Sequence, residues 1–221
     1  MSDVHANLPA LEAVLKDLRR HHPEKVVCAG DLIGYYPWPN EVIDLLRSNN
    51  VDCVRGKHDR AAIGHLEIHW FAAHAATALE WTVARLSEES KNYLLSLENH
   101  RRFRAGARLV AVYSGSPLDE DEAIFPEAMS GGLLVGAQAD VLVLGNTHIP
   151  AMGRYGNGVV LNPGSVGQPR DGDPRAAYGT VDTETLTAEV HRVPYDIEAV
   201  ATRMEEEQLP ESLVARLREG R

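Results

Sequence analysis

Cysteine, positive charge and long hydrophobic runs are all scarce in this sequence of 221 residues. Its two cysteines, Cys28 and Cys53, lie in apolar stretches. They exclude a disulfide framework and predict buried thiols in a reducing compartment, the cytoplasm. No run of about 18 apolar residues occurs, so no membrane-spanning helix is expected. The N-terminus has neither the basic nor the apolar region of a secretory signal.

Lysine and arginine together number 22 against 32 acidic residues, which gives a formal net charge of −10. Proteins that bind polymeric nucleic acid usually carry a basic excess, so that class of partner is not expected. The hydrophobic share of 44% and the charged share of 24% are ordinary for a globular chain. Without a repeat, a low-complexity tract or a long linker, residues 1–221 are predicted to form a single domain.

Helical and extended patterns alternate along the first third of the chain. Residues 8–20 and 39–49 have apolar side chains at helical spacing, and short apolar runs follow at 25–29 and 51–54. This alternation predicts an α/β fold with parallel strands. A long helix over 66–86, a shorter helix from about Ser87 and helices after Tyr195 are also expected. Further strands are predicted at 109–113, 141–144, 159–161, 177–181 and 186–193, the last two as an antiparallel hairpin.

Four of these strands end in polar or ionisable clusters. Because ligands of open α/β sheets lie beyond the carboxyl ends of the strands, we expect the clusters to meet there. Asp3 and His5 would join them, and carboxylates with imidazoles form the ligand set of Mn, Fe or Zn. The clusters are Ala29-Gly30-Asp31, Arg55-Gly56-Lys57-His58-Asp59, Tyr113-Ser114-Gly115 and Gly145-Asn146-Thr147-His148.

The order of these motifs resembles that of the calcineurin-like metallophosphoesterases. The motifs are Asp3-x-His5, Gly30-Asp31, Gly56-x-His58-Asp59 and Gly145-x-Thr147-His148, and the likeness covers nearly the whole chain. Asn162-Pro163-Gly164-Ser165 and the stretch 167–175 are similar to the small prokaryotic phosphodiesterase branch, which includes diadenosine tetraphosphate hydrolase-like members. The resemblance implies a four-layer α-β-β-α sandwich of two mixed sheets, with a metal site at one edge.

The resemblance also implies a role for each matching residue. Asp3, His5, Asp31 and His148 would hold the first metal, with Asp31 bridging to a second. A hydroxide between the metals would attack phosphorus in line. His58 would assist the leaving oxygen as general acid or charge stabiliser, and Asp59 would orient His58.

The second metal's own ligands depart from the family pattern. Lys57 stands where the family has Asn, and Ser114 and Asn146 stand where it has His. A charged lysine donates only, and Ser and Asn are weak neutral ligands. We therefore predict one well-formed divalent site, with the second metal doubtful. The Lys57 ammonium would take the second metal's place, contacting phosphate or Asp31.

Two functions follow from this pattern. The first is a metallophosphoesterase acting on a small phosphoester or nucleotide, of phosphodiesterase or nucleotide phosphatase type and impaired at the second metal. The alternative is a catalytically silent homologue that binds a phosphorylated ligand or a protein partner. A homo-oligomer stays open, because the helical residues 66–86 could pair two chains as well as cover a sheet.

Several other features are interpreted as structural. His65 and His69 are expected on an ordinary helix surface, and Ser165 in a turn rather than as a nucleophile. Residues 131–132, two glycines, are interpreted as a loop break. Trp70 and Trp81 are expected as core anchors.

The start of the chain carries an expectation of its own. In the family a buried strand precedes Asp-x-His, but here only Met1 and Ser2 precede Asp3. The first strand therefore looks absent, unless the natural chain begins upstream. If it is absent, neighbouring strands would expose their edges, and Asp3 and His5 would hang from a frayed terminus.

Overall fold

The computed structural model describes all residues from Met1 to Arg221. The α-helices are α1 (Leu8–Leu18), α2 (Pro39–Ser48), α3 (Lys57–Ala62), α4 (Ala73–Arg85), α5 (Glu88–Ser96), α6 (Gly131–Ala137), α7 (Ile197–Glu206) and α8 (Glu211–Glu219). The strands are β1 (Val27–Cys28), β2 (Asp52–Cys53), β3 (His100–Ala105), β4 (Arg108–Tyr113), β5 (Val141–Val143), β6 (Pro150–Tyr155), β7 (Gly158–Pro163), β8 (Ala176–Asp182) and β9 (Thr187–Val193).

The larger sheet has the strand order β3-β4-β5-β7-β6. Its three central strands are parallel, and both edge strands are antiparallel to their neighbours. Side chains alternate between its two faces, so Ala111, Leu142 and Val160 pack towards α6 while Val110 and Val141 pack the other way. The sheet is therefore covered on both faces, as a mixed α/β sheet requires.

The N-terminal residues complete a second layer. The backbone N–H of Ala29 donates to the carbonyl of Met1 at 2.9 Å, and that of Asp3 to Gly30 at 3.0 Å. On the opposite side, the N–H of Val166 donates to Ser2 at 3.0 Å. Residues 1–3 therefore lie hydrogen-bonded beside β1, and the expected frayed terminus is not found.

The same layer continues to the C-terminal hairpin. The N–H of Ala177 in β8 donates to the carbonyl of Ser165 at 2.8 Å. Backbone bonds thus connect β2, β1, residues 1–3, residues 165–167, β8 and β9 in that order. This layer supplies the central scaffold on which the predicted ligands Asp3 and His5 sit.

The two sheets pack face to face. Ala29 and Val54 of the smaller sheet share one apolar cluster with Val112, Val143 and Val159 of the larger sheet. Helices α1, α2, α7 and α8 cover the outer face of the smaller sheet through the main core, and α6 covers the larger sheet. The predicted α-β-β-α sandwich is confirmed.

Local signals account for α1 and for the cysteines. The Asn7 side chain accepts a hydrogen bond from the N–H of Ala10 at 3.2 Å, and a proline occupies the first turn of the helix. Cys28 and Cys53 face each other in the β1–β2 register, and both are free and buried. The cap and the buried thiols agree with the sequence-based predictions.

Other predictions were wrong. The long helix over 66–86 is broken, because residues 68–70 form a short 3-10 turn and α4 begins only at Ala73. Phe71, in the break, packs against His58 with ring centroids 4.9 Å apart. Trp70 is 67% exposed and no core anchor, whereas Trp81 packs against the core. The glycines at 131–132 open α6 rather than breaking a loop.

Two strands escaped prediction, and both are edges of the larger sheet. β3 is rich in exposed arginine, and β6 begins with Pro150, as is common for edge strands. Neither sequence has the regular apolar alternation that would predict a strand. None of the helices combines the length and apolar character needed to cross a membrane.

Candidate metal centre

The predicted site residues meet at one edge of the sandwich. Most come directly after a strand, either in the loops that follow β1, β4 and β5 or in the first turn of α3 after β2, as expected for the carboxyl ends of parallel strands. Those that are buried are Asp3, His5, Asp31, His58, Asp59, Ser114 and His148, while Lys57 and Asn146 are half-buried.

Two histidines face each other through their Nε2 atoms, which lie 3.2 Å apart. Nδ1 of His5 is 3.2 Å from the carbonyl of Ile33, and Nδ1 of His148 is 2.6 Å from that of Gln168. A carbonyl only accepts, so each Nδ1 carries its ring's proton and each Nε2 presents a lone pair. Two facing lone pairs repel unless a cation lies between them.

A carboxylate completes this group. Oδ1 of Asp3 lies 3.4 Å from Nε2 of His148 and 4.0 Å from Nε2 of His5. The ligand atoms of these three residues all lie within 4.8 Å of one another. Two neutral imidazoles and one carboxylate oxygen form a donor set that suits a divalent transition metal, so the residues fit the implied metal.

Asp3 is held in place and poorly solvated. Its carboxylate accepts hydrogen bonds from the Ser2 hydroxyl and from the backbone N–H of Asn146, the latter at 3.2 Å to either oxygen. Burial raises the pKa of Asp3 to about 7, although the Ser2 hydrogen bond opposes the shift. A bound cation would therefore compete with a proton at this carboxylate near neutral pH.

Asp31 belongs to a second group that shares His5. Its Oδ2 lies 4.0 Å from Nε2 of His5, and one ring nitrogen of His58 is within 4.8 Å of both ligand atoms. The backbone N–H of His58 donates to Oδ1 of Asp31 at 2.8 Å. Burial, with the nearby carboxylates of Asp59 and Asp3, raises the pKa of Asp31 well above its usual value. His58 is thus within ligand reach, which the sequence did not indicate.

The backbone has a positive φ angle, in the left-handed region, at every predicted ligand of the first metal. Non-glycine residues rarely adopt positive φ, and such positions cluster at functional sites. Gly56 allows a close approach here, since a Cβ at that position would collide with the Asp31 carboxylate. The φ angles are 53° at Asp3, 51° at His5, 51° at Asp31 and 61° at His148.

The Asp59 carboxylate forms its hydrogen bonds with backbone N–H groups, and no hydrogen bond joins it to the His58 ring that it is predicted to orient. Its Oδ1 accepts from the N–H of Leu32 at 2.9 Å and of Ile33 at 3.2 Å, and its Oδ2 accepts from Gly56 at 2.8 Å. A carboxylate at the third position of a helix takes up free backbone donors in this way. Asp59 therefore fixes the loop that presents Asp31.

The His58 ring is held by packing. Its Nδ1 has no hydrogen-bond partner and faces Gly34, where a Cβ would collide with it. Tyr35 and Phe71 lie against the ring, with centroids 4.6 and 4.9 Å away. Burial, followed by the charges of Arg170 and Lys57, lowers the pKa of His58 to about 3, so the ring is neutral at pH 7.

Two of the three departures from the family pattern, Lys57 and Asn146, engage neighbours other than the predicted ligands through their side chains. Nζ of Lys57 lies 5.7 Å from the centroid of the Phe71 ring, and the ion-pair partner of Asp31 is His5, at 4.0 Å. Of the two predicted contacts of Lys57, the one with phosphate stays a prediction. Nδ2 of Asn146 donates to the carbonyl of Asp121 at 3.1 Å. Ser114 is buried against Gly30, where an added Cβ would lie 2.9 Å from the Cβ of Ser114.

Tyr35 and Arg170 were missed as site residues. The Tyr35 ring lies 4.3 Å from that of His5, and its hydroxyl accepts from Nη2 of Arg170 at 3.0 Å. The sequence contained a signal, since Tyr35 follows Gly30-Asp31 closely and Arg170 belongs to the glycine- and proline-rich stretch 167–175. No single residue type in either segment pointed to a role.

The residues interpreted as structural lie outside the ligand groups. Ser165 donates to the carbonyl of Asp3 at 2.7 Å and accepts from the N–H of Gln168 at 2.8 Å, so it stabilises a turn. His65 and His69 are exposed, although they do not share a helix: His69 lies in the short 3-10 turn at Ile68–Trp70, and His65 precedes it.

Comparison with known proteins decides the family. The model of the calcineurin-like phosphoesterase superfamily domain matches residues 1–186. The chain belongs to this superfamily. It is a phosphoester hydrolase by family, and calcineurin-like phosphoesterases use divalent metals, which agrees with the donor set of Asp3, His5 and His148.

Similar proteins match most or all of this calcineurin-like phosphoesterase. The crystal structure of a metallophosphoesterase from Sphaerobacter thermophilus is 36% identical, with a TM-score of 0.85 over 100% of this chain and 98% of that one. An uncharacterized protein from Methanocaldococcus jannaschii is 32% identical over 100% of this chain and 97% of its own. Phosphodiesterase YfcE from Escherichia coli is 26% identical over 84% of this chain and 87% of its own.

Proposed function

We propose that this phosphoesterase hydrolyses a small phosphoester or nucleotide at a single well-formed metal site. Asp3, His5, Asp31 and His148 would hold the metal, which is Mn, Fe or Zn by the chemistry of its ligands. The observation that carries the proposal is the pair of Nε2 atoms 3.2 Å apart, each with its proton placed on the far nitrogen by a backbone carbonyl.

The reaction type draws on a relative as well as on the site. YfcE is named a phosphodiesterase, and it aligns with 84% of this chain. We infer a phosphodiesterase or nucleotide phosphatase for this protein. A small substrate fits the formal charge of −10, which disfavours a polyanion.

The protein groups divide the work of the reaction. When bound, the divalent metal would polarise the phosphoryl group and lower the pKa of the attacking water. The neutral His58 ring, wedged between Tyr35 and Phe71, would hold a proton beside the leaving oxygen. The negative charge of a bound phosphoryl group would raise the pKa of this ring, because it favours the imidazolium.

The second metal site is proposed to be degenerate. The amide of Asn146 is engaged by Asp121, and the ammonium of Lys57 lies over Phe71. Loss of these ligands also favours the alternative function, a silent homologue that binds a phosphorylated ligand or a protein partner. The two functions differ in turnover, since both retain the fold and the first ligand group.

Metal content and turnover test the proposal together. We expect about one metal per chain by elemental analysis, and hydrolysis of bis(p-nitrophenyl) phosphate with added Mn above the rate of an Asp31→Asn control. Two tightly bound metals would contradict the single-site assignment. Turnover no greater than that of the control would favour the silent homologue.

A further inference from the structure

Arg170 lies in a short segment, residues 168–170, that is hydrogen-bonded to the predicted metal ligand His148. The backbone N–H of Arg170 donates to the carbonyl of His148 at 3.2 Å. Two residues earlier, the carbonyl of Gln168 accepts from Nδ1 of the same histidine at 2.6 Å. Both ends of segment 168–170 are thus hydrogen-bonded to His148, which places the side chain of Arg170 beside the metal centre.

The guanidinium is held on one edge only. Its Nη2 donates to the Tyr35 hydroxyl at 3.0 Å and to Oε1 of Gln168 at 3.3 Å. Its Nε is buried with no partner, and no carboxylate pairs with the group. Arg170 is half-buried, and a buried N–H of a charged group that lacks an acceptor is costly unless an anion arrives to accept from it.

The orientation of the arginine is set by an aromatic wall. The Tyr35 ring packs at 4.3 Å from His5 and 4.6 Å from His58, and the Tyr35 residue is 5% exposed. The hydroxyl of this rigid ring is the acceptor for Nη2 of Arg170. Tyr35 therefore acts as a positioning residue that joins the guanidinium to the two histidines.

The charge of Arg170 acts across the whole site. Burial raises the pKa of Asp3 and of Asp31, and the charge of Arg170 opposes that rise. Burial lowers the pKa of the site histidines, and the charge of Arg170 adds to that fall. Lys57 is a weaker candidate for the same task, because its ammonium lies over the Phe71 ring and its stem is flexible. The structure thus offers one fixed cation next to the ligand groups.

We propose that Arg170, positioned by Tyr35, is a phosphate-binding residue that donates to a non-bridging oxygen of the substrate's phosphoryl group. Its charge would supply the neutralisation that a second metal supplies where that metal's ligands are intact. The ligand of this subsite is a tetrahedral phosphate anion, free or esterified. The inference rests on the proposed phosphoester reaction and deepens it.

Binding of inorganic phosphate to the metal-loaded protein tests this role without turnover. We expect Arg170→Gln to weaken phosphate affinity in calorimetry by about 10- to 100-fold, as for lost hydrogen bonds between charged groups. The metal content should be unchanged. Arg175→Gln is the matched control, because Arg175 lies in the same stretch but is exposed and paired with Asp173.

Two further variants keep the test decisive. Arg170→Lys should recover part of the affinity, since it restores the charge without the planar donors. Tyr35→Phe removes the hydroxyl that holds Nη2 and should weaken phosphate binding several-fold while the metal stays bound. In kinetics, Arg170→Gln should raise KM for the phosphoester, with phosphate inhibition weakened in parallel.

The outcomes separate this role from the proposed reaction. Phosphate affinity equal in Arg170→Gln and Arg175→Gln, at full metal content, would overturn the assignment of Arg170. Arg170-dependent phosphate binding without any turnover would support the subsite and refute the hydrolytic function. If Arg170→Gln does not fold, unchanged phosphate affinity in Tyr35→Phe would still count against the proposal.

Discussion

Two neighbouring parts of the site share one edge of the sandwich but differ in what their side chains do. In the first part, one ring nitrogen of His5 and of His148 is hydrogen-bonded to a backbone carbonyl, and the other nitrogen is left free for the metal. In the second, the Asn146 amide bonds to Asp121 and the Lys57 ammonium lies over an aromatic ring. A metal-ligand group is therefore recognised by the hydrogen bonds that its ligands make away from the centre, because those bonds decide which lone pairs remain for the metal.

The largest expected effect tests the first part of the site. Asp3→Asn keeps the shape but removes the carboxylate charge from the group with His5 and His148. We expect metal affinity to fall by about 100-fold or more and hydrolysis to be lost. Metal titration and elemental analysis would measure this.

Ser114→Ala is the matched control from the second part of the site. Since Ser114 is buried but offers only a weak neutral oxygen, the metal content should stay at the wild-type level. Equal metal loss in the two variants would remove the distinction between the two parts.

The next effect concerns His58. His58→Asn should lower kcat by about 100- to 10,000-fold if the ring assists the leaving group. The metal content should hardly change, because the predicted ligands remain. A variant that loses the metal instead would place His58 among the ligands, in line with its group with His5 and Asp31.

A leaving group that needs no proton refines this test. With p-nitrophenolate as the leaving group, the His58→Asn defect should be smaller than with an alkyl alcohol, because a stable anion departs without assistance. An equal defect for the two leaving groups would argue against a proton at this oxygen.

The second part of the site can be tested by restoring its metal ligands. The combined variant Lys57→Asn, Ser114→His and Asn146→His restores the family pattern of the second metal. We expect the metal content to rise from about one to about two per chain, with faster hydrolysis. The single change Lys57→Asn serves as the control, since it removes the cation but adds no imidazole. A combined variant that stays at one metal would show that the ligand types alone do not decide whether the second metal binds.

The smallest expected effect is a pH dependence of metal affinity. Burial raises the pKa of Asp3 to about 7, so below that pH a proton occupies the carboxylate that the metal needs. One competing proton weakens the apparent affinity by about tenfold between pH 8 and pH 6. Calorimetry in buffers of different ionisation enthalpy would measure the affinity and the released proton. A flat profile would mean that Asp3 is already ionised at pH 6.

Local chemistry explains the parts of the fold that could be predicted. The β8–β9 hairpin follows from its turn, where the Asp182 carboxylate accepts from the N–H of Glu184 at 2.8 Å and of Thr185 at 2.9 Å. Helix α1 follows from the Asn7 cap in the same way. These signals lie within a few residues of each other, so the sequence displays them directly.

Long-range contacts explain the parts that could not. The break before α4 arises where Phe71 meets His58, and the edge strands β3 and β6 exist through pairing with β4 and β7. In the site, Asp59 binds the backbone of Leu32 rather than its neighbour His58. None of these partners can be identified from residue type or spacing.

Residue type and local periodicity were sufficient to predict the alternation of helices and strands and the motifs at the strand ends, and the resemblance of those motifs to a known family implied the sandwich fold and the candidate ligands. Only the tertiary structure decided which nitrogen of each histidine faces the centre, what Asp59 holds, and that Arg170 reaches Tyr35 across 135 residues of chain. Those features depend on backbone carbonyls and on hydroxyls, which occur throughout the chain, so the sequence does not show which of them is the partner. Their positions become specific only when the two sheets pack and bring distant loops to one edge.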